Sequence, residues 1–250
     1  MNRPVERFAI CLILACSFAG PFAWCEVNPD VKQLVSRFES RYRAAHTLQA
    51  TFLERYFENG RVARVEAGTA YFRRPGKMRW EYESPERNLF LVDGKSAWFY
   101  VPADHTATRV PAKESSDWRT PLSLLAGEMK VSRVCARVEA TLNEKPESSE
   151  NAVFFCQLRG TESAADKPGT HEASAQAGDG SETVFFEIVK NSGELVRVLV
   201  REPGGVGVEF HFANWKTDPP VPESQFRFAA PPGVAIVNGE LPHDNALMNE

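Results

Sequence analysis

The first clear pattern in the chain is an amphipathic helix that begins near residue 30. Asn28, Pro29 and Asp30 are typical of a helix start. Apolar residues then recur at the spacing of one helix face, which predicts a helix over residues 30–45. The apolar stripe of this helix is formed by Val31, Leu34, Val35, Phe38, Tyr42 and Ala45. Such a stripe has to lie against another apolar surface.

From residue 48 onward, apolar and polar positions alternate with the period of a β-strand. Turn residues such as Asn59-Gly60 and Asp93-Gly94 separate the alternating segments. Because consecutive strands joined by short turns leave no room for crossover helices, the pattern excludes an α/β fold and favours one antiparallel sheet or barrel. The predicted strands are 48–57, 60–74, 77–84, 88–93, 96–102, 106–110, 130–142, 152–159, 182–190, 194–202, 207–215 and 225–228.

Some of these strands are apolar on both faces. A sheet with one face in water would instead alternate apolar and polar residues along each strand. "KMRWEYES" alternates, with Met78, Trp80 and Tyr82 on one face, whereas "NLFLV" and "AWFYV" do not alternate. The candidate covers are the first helix and the leucine-rich segment 120–127, "TPLSLLAG". Beneath them the sheet encloses either a ligand cavity or a filled core. The alternation alone favours the filled core.

The N-terminus has the features of a secretory signal peptide. Arg3 and Arg7 precede the apolar run 8–24, and small residues follow. The run is short for a membrane span. We therefore predict a signal peptide over residues 1–25, with lipid attachment at a cysteine as the lesser alternative.

The rest of the chain is predicted to form one domain, residues 26–238. Within it, segment 161–182 has no large apolar residue, so it cannot contribute to a core and is interpreted as a flexible surface insertion. Residues 239–250 form a polar tail.

Two cysteines remain after the predicted signal peptide, in a compartment that permits disulfides. Cys135 and Cys156 flank the turn "NEKPESSEN", and a hairpin centred between Lys145 and Pro146 places them opposite each other. A bridge closing this loop of roughly 20 residues would contribute about 3 kcal/mol. The alternative is two unpaired buried thiols; the register and the compartment favour the disulfide.

The charge and motif content exclude several classes of function. The net charge is −4 and no basic run is present, so nucleic acid is not an expected partner. The five histidines lie outside any catalytic or metal-binding frame. The sequence therefore predicts no enzyme, no metal and no cofactor.

Several segments, taken in order, resemble the periplasmic outer-membrane lipoprotein carrier family, LolA. "GTAYFRRPGKMRWEYESP" is similar to the family's Arg-Pro and Trp stretch, and "LVDGKSAWFYVP" to its Asp-Gly-Lys segment. "TPLSLLAG" stands where the family has a second lid helix, and "FRFAAPPGVAIV" is similar to its closing segment. The resemblance spans residues 30–237.

This resemblance implies a mainly β fold with a few helices: an unclosed antiparallel β-barrel, or half-barrel, with a helical lid. It implies a monomeric periplasmic chaperone whose apolar cavity binds the acyl chains of lipoprotein cargo. The cargo would come from an inner-membrane lipoprotein-releasing transporter and pass to an outer-membrane receptor. The alternatives are a receptor of the same fold, an envelope-stress sensor of lipid or protein, and, with less support, an envelope-lipid enzyme.

The resemblance also implies roles for particular residues. Arg74 corresponds to the arginine that holds the lid shut; otherwise it is a solvated arginine at a strand end. Met78, where the family has phenylalanine, and Trp80 correspond to cavity residues. Together with the apolar pattern, this gives a predicted cavity lined by Leu34, Phe38, Met78, Trp80, Leu89, Leu91, Trp98, Tyr100, Leu122 and Leu125.

Overall fold

The computed structural model of the protein describes residues 30–113, 119–141, 143–159, 182–202, 204–239 and 241. The predicted signal peptide 1–25 lies outside the described residues. So do the predicted insertion 161–182, apart from Glu182, and the tail 239–250, apart from Gly239 and Leu241.

Within the described residues, twelve strands form a single sheet whose order is β12-β6-β5-β4-β3-β2-β1-β11-β10-β9-β8-β7. The strands are β1 (Thr47–Glu58), β2 (Arg61–Arg73), β3 (Lys77–Ser84), β4 (Leu89–Val92), β5 (Ser96–Val101), β6 (Thr106–Pro111), β7 (Cys135–Ala140), β8 (Asn151–Leu158), β9 (Thr183–Val189), β10 (Leu195–Arg201), β11 (Gly207–Thr217) and β12 (Ala235–Asn238). The helices are α1 (Val31–Arg43), α2 (Ser123–Ala126) and α3 (Val131–Val134), with 3₁₀ turns at Thr120–Leu122 and Glu223–Phe226. The fold is therefore mainly β and unclosed, as predicted.

The sheet departs from the predicted antiparallel pattern at one edge. Strand β12 pairs with β6 in parallel, with Ile236 opposite Ala107. The predicted strand 225–228 is wrong: the chain there forms the turn Glu223–Phe226, and the last strand begins only at Ala235.

One glycine is required where β2 crosses close to β3. A Cβ atom on Gly68 would lie 1.9 Å from the carbonyl oxygen of Glu81. Gly68 pairs with Tyr82, next to an irregularity in the register of the two strands. The missing side chain thus allows the close approach that places Tyr82 on the inner face.

Helix α1 packs on the inner face over β8 and β9. The side chain of Asp30 caps its first turn by accepting from the Lys32 amide at 3.0 Å. Phe38 contacts Phe154 and Phe186, with ring centroids 6.2 and 6.0 Å away. The predicted amphipathic stripe is therefore the face that covers this half of the sheet.

The opposite, outer face of β2 to β6 is covered by residues 219–234, which we call the C-terminal strap. Its backbone carbonyls accept hydrogen bonds from strand arginines, as from Arg79 to Gln225 at 2.9 Å. Phe226 is fully buried, and the ring of Phe228 stacks on Trp98 with centroids 4.7 Å apart. The strap is the second cover that the two-sided apolar strands β4 and β5 require.

Strands β7 and β8 are joined by a disulfide between Cys135 and Cys156, with Cα atoms 5.4 Å apart. The register differs from the predicted one, since Leu158 lies opposite Cys135 and Val138 opposite Cys156. The bridge therefore runs diagonally across the hairpin.

The loop of this hairpin folds back over the outer face of β9 to β11. There the Arg197 side chain donates to Glu187 at 2.7 Å, to Glu209 at 2.8 Å and to Glu144 of the loop at 3.0 Å. We call these four side chains the outer ionic network.

No helix among the described residues is long and apolar enough to cross a membrane.

Candidate binding cavity

A cavity of about 330 Å³ lies on the inner face, between strands β3 and β4 and residues 119–126, which we call the cover segment. Its sheet wall is apolar and its other wall comes from the cover segment. The lining includes Met78, Phe90 and Val92 of the sheet and Arg119, Ser123 and Ala126 of the cover segment.

The cover segment is fixed to the sheet by apolar burial and by polar contacts. Two leucines of the segment, Leu122 and Leu125, are buried. The amide of Gly76, in the turn between β2 and β3, donates to the carbonyl of Ala126 at 2.8 Å. Arg119, directly before the segment's first turn, reaches across to β1 and β3.

Arg119 belongs to a buried group of three polar side chains. The hydroxyl of Tyr82 donates to Glu54 at 2.7 Å and accepts from the Nε and Nη2 groups of Arg119, the former at 3.0 Å. Arg119 Nη2 and Glu54 Oε2 are 3.6 Å apart. Burial is the main cause that raises the pKa of Tyr82, with the nearby Arg119 charge acting against it. The phenol is therefore neutral at physiological pH and able to donate to Glu54.

Sequence reasoning missed Glu54 and Arg119 and left the face of Tyr82 open. Glu54 lies in an alternating strand, where carboxylates are commonly solvated. One signal was available: Glu54 has the same parity as Phe52 and Tyr56, so it must lie on the apolar face. A charge on such a face requires a partner.

Arg74 lies at the turn between β2 and β3, beside the end of α1. Its Nη1 group donates to the carbonyl of Arg43 at 2.7 Å and to that of Ala45 at 2.5 Å. These carbonyls lie at the end of the helix, where carbonyl groups lack partners within the helix. Burial lowers the pKa of Arg74, and the charge of Asp218 opposes this effect. The half-buried side chain therefore ties the turn to the first helix.

The other predicted cavity residues on the inner face have different positions. Met78 lines the cavity. Trp80 is fully buried next to it, with Phe52 at 4.8 Å and Phe210 at 5.4 Å between ring centroids. The indole Nε1 of Trp80 has no hydrogen-bond acceptor among the described residues. Trp80 thus forms the layer behind the cavity wall.

The two residues predicted on α1, Leu34 and Phe38, are buried against the other half of the sheet. They lie outside the lining of the 330 Å³ cavity. Leu122 and Leu125 form the underside of the cover segment, packed into the main core.

Four predicted cavity residues lie on the wrong face, and the strand register corrects them. Leu91 is opposite Arg79 and Trp98, whereas Phe90 is opposite Trp80. Residues opposite each other point to the same face. The outer-face set is Leu89, Leu91, Trp98 and Tyr100. The prediction failed because both faces of β4 and β5 are apolar, and the inward residues are instead Phe90 and Val92.

A second cluster of titratable groups lies on the outer face, beside the outer ionic network. Burial would raise the pKa of Glu209, but hydrogen bonds from His211 and Arg197 outweigh it and hold that pKa at about 2. The ligand atoms of Glu147, Glu209 and His211 lie within 4.8 Å of one another. The guanidinium of Arg55, 2.6 Å from Glu209, already supplies a positive charge there. This arrangement favours an ion-pair network over a metal site.

The fold and cavity together define an unclosed β-sheet protein that encloses a partly apolar cavity beneath a short cover. Residues 43–149 match the family described as "Outer membrane lipoprotein carrier protein LolA". The chain is similar to this family over that segment, which is less than half of its 250 residues.

The chain is also similar to individual proteins. The chain is 29% identical over 237 residues to the outer-membrane lipoprotein carrier protein of Methylococcus capsulatus, covering 93% of this chain and 98% of that one. It is 28% identical over 216 residues to the protein of the same name from Chromobacterium violaceum, covering 85% and 91%. Among solved structures, an uncharacterized conserved protein from Thermus thermophilus is similar at 14% identity with a TM-score of 0.48, covering 83% of this chain and 98% of that chain.

Proposed function

We propose that this protein is a periplasmic carrier that binds the acyl chains of lipoproteins and shuttles them from the inner membrane to the outer membrane. It acts as a monomer that takes cargo from an inner-membrane lipoprotein-releasing transporter and delivers it to an outer-membrane receptor. The observation that carries the proposal is the cavity between an apolar sheet wall and a cover segment whose leucines are buried against the sheet.

The physical need for such a carrier follows from the cost of exposing acyl chains to water. Burying one CH₂ group is worth about 0.8 kcal/mol. A long acyl chain therefore gains on the order of 10 kcal/mol from a dry cavity. A lipoprotein that crosses an aqueous compartment therefore needs a protein that supplies such a cavity and can later release the acyl chains.

The described state is a closed one. Its cavity, about 330 Å³, is at the lower end of the roughly 300–1,000 Å³ of small-ligand pockets. Several acyl chains require more room, so the cover segment and α1 must move for cargo to enter. The contacts that hold these two elements then set the cost of opening.

Arg74 supplies one of these contacts through its bonds to Arg43 and Ala45 at the end of α1. A hydrogen bond to a charged donor is worth about 1.5–3 kcal/mol, and half-exposure reduces this. Because the closed state excludes the chains, weakening it shifts the population toward the cargo-bound form. We therefore assign Arg74 the role of a latch that favours release.

The binding proposal is tested by mixing the protein with a triacylated lipoprotein in detergent, removing the detergent and measuring co-elution. We expect a stable complex with the parental protein and a weakened one with Val92→Asn, which places an amide in the apolar wall. Val65→Asn makes the same change at an exposed position and should bind like the parent. Protein that elutes empty in every case would contradict the proposal.

Transfer is tested by adding acceptor receptor to the complex and following the cargo. Arg74→Leu should slow release by roughly tenfold, the factor for about 1.4 kcal/mol, without changing the folded structure. Arg61→Leu, on the exposed start of β2, is the matched control. Release at the parental rate from Arg74→Leu would remove the latch role. Binding without any transfer would point instead to a receptor of the same fold.

A further inference from the structure

The sheet ends at β12, and this edge is open in the part of the chain that the structure describes. All four residues of β12 are exposed, and no described strand pairs with its far side. Ile236 and Val237 are 50% and 49% exposed. Soluble proteins usually protect a free edge with charged residues or proline, because an open edge pairs with other chains. The sequence of β12, Ala-Ile-Val-Asn, contains neither.

The opposite edge of the same sheet is protected in the usual way. Strand β7 carries Arg137 and Glu139, which are both exposed and pair with each other at 2.6 Å. The disulfide ties the start of this strand, Cys135, to β8. The open character of β12 is therefore a property of that strand and not of both edges of the fold.

The backbone of β12 directs hydrogen-bonding groups toward the open side. The amides of Ala235 and of Gly239, directly after the strand, donate to carbonyls of β6 or just before it, at 2.8 and 3.3 Å. The backbone groups of successive residues in a strand point in alternate directions. The N–H and C=O groups of Ile236 and Asn238 therefore point away from β6, and an added strand can form up to four hydrogen bonds with them.

The side chains of β12 indicate what kind of strand fits there. Ile236 is opposite Ala107, which is opposite Tyr100, so the Ile236 side chain lies on the outer face. Val237 consequently lies on the inner face. A strand that pairs with β12 meets an exposed apolar side chain on each face, which favours β-branched residues in the added strand.

Arg109 adds a positive charge beside one end of the edge. It is exposed, lies opposite Asn238, and its guanidinium carbon is 5.1 Å from the ring centroid of Trp98. Among the described residues only its Nε group donates, to Ser96 at 3.1 Å, and no carboxylate forms an ion pair with it. Arginine and aromatic side chains are enriched in protein interfaces, and a guanidinium with free donors favours a carboxylate as its partner.

We propose that β12 is a docking site for an extended segment of another protein, which adds a strand to the sheet and places an acidic side chain beside Arg109. Strand addition of this kind is a recurrent mode of peptide recognition, in which backbone hydrogen bonds give affinity and alternate side chains give specificity. The inference is independent of the proposed carrier function, because it concerns the edge of the sheet and not the cavity.

A second copy of this chain fits the edge less well than a foreign segment. Four residues of strand span only about 13 Å, and a dimer that rests on so short a strand buries less surface than a stable dimer needs. A second β12 also has no carboxylate to offer Arg109.

The test measures the binding of three capped eight-residue peptides to the full-length protein by fluorescence anisotropy. The first alternates valine and threonine and has a glutamate at one end. The second has the same side chains but N-methyl groups on two adjacent central amides, which block both of its edges. The third has glutamine in place of glutamate. We expect the first to bind with a Kd below about 1 mM, the second at least about tenfold more weakly, and the third about two- to fivefold more weakly.

Variants of the protein locate the binding to β12. Ile236→Pro removes the outward N–H group without touching the bonds to β6, and should weaken binding of the first peptide by about tenfold or more. Ile236→Val keeps that group and should bind like the parent. Arg109→Gln should bind the glutamate and glutamine peptides equally, whereas Arg137→Gln, at the other edge, should keep the difference between them.

Several results would overturn the inference. These are no binding of the first peptide at 1 mM, equal binding of the first and second peptides, or parental affinity in Ile236→Pro. The peptide comparisons use the parental protein, so they decide the matter even if Ile236→Pro does not fold. Sedimentation that shows a dimer in the parent and a monomer in Ile236→Pro would assign the edge to a second copy and refute the foreign segment. The carrier function is unaffected by each of these outcomes, since lipoprotein binding is measured separately.

Discussion

Replacing Glu209 by glutamine should lower the free energy of unfolding by about 3 kcal/mol at pH 7. Glu209 is 4% exposed, and its carboxylate accepts from Arg197 at 2.8 Å and pairs with Arg55 at 2.6 Å. These contacts and the hydrogen bond from His211 hold its pKa at about 2, against an ordinary 4.5. Each pH unit of that difference corresponds to about 1.36 kcal/mol, which gives the stated figure.

The sign of the pH dependence follows from the lowered pKa. A carboxyl group with a folded pKa below its unfolded one contributes its full stabilisation above the unfolded value, and this is lost as the pH falls toward the folded one. The parent and Glu209→Gln should therefore differ most at pH 7 and progressively less between pH 4.5 and about 2.

Urea unfolding at a series of pH values from 7 to 3 measures this difference directly. Glu139→Gln, on the exposed strand β7, is the control and should stay within about 0.5 kcal/mol of the parent. A gap between Glu209→Gln and the parent that is as large at pH 3 as at pH 7 would refute the assignment of the stabilisation to the ionised carboxylate. A difference in unfolding free energy below about 0.5 kcal/mol at pH 7 would refute the same assignment.

Three further substitutions test other parts of the fold. Changing Cys135 and Cys156 together to serine should cost about 3 kcal/mol, because the bridge spans 21 residues; an unchanged urea midpoint would contradict this. Gly68→Ala should cost at least about 2 kcal/mol in thermal unfolding, since its Cβ would lie 1.9 Å from a carbonyl oxygen of β3; a wild-type melting temperature would show that the strands can separate freely. Tyr42→Phe removes the hydroxyl that accepts from the Leu195 amide at 3.0 Å and should cost about 1–2 kcal/mol. That amide should then exchange with solvent faster than in the parent.

Local patterns in the sequence were sufficient for most of the architecture. The spacing of Leu34, Phe38 and Tyr42 predicts α1 and its buried stripe, and the structure buries all three. Turn residues such as Asn59 and Gly60 have positive φ angles of 50° and 72°, which is why their sequence marks the hairpin between β1 and β2. Period and turn chemistry depend on neighbours along the chain, so a single sequence reveals them.

The candidate site was less predictable because it depends on distant partners. Alternation cannot decide which face of "NLFLV" is inward when both faces are apolar, and the cover of its outer face comes from the remote C-terminal strap. Glu54 and Arg119 meet through Tyr82, across three separate segments. Their pairing becomes apparent only when the sheet and the cover segment are in place.

One short turn, residues 74–76, carries contacts to both helical elements on the inner face. Arg74 holds the end of α1, and the amide of Gly76 holds the end of the cover segment at Ala126. One tie is made by the Arg74 side chain and the other by the Gly76 backbone, and the two residues are only two positions apart. We therefore expect movement of one element to strain the turn that holds the other. Opening should consequently be a cooperative transition with a single relaxation rate, and fluorophores placed separately on α1 and on the cover segment should report the same time constant.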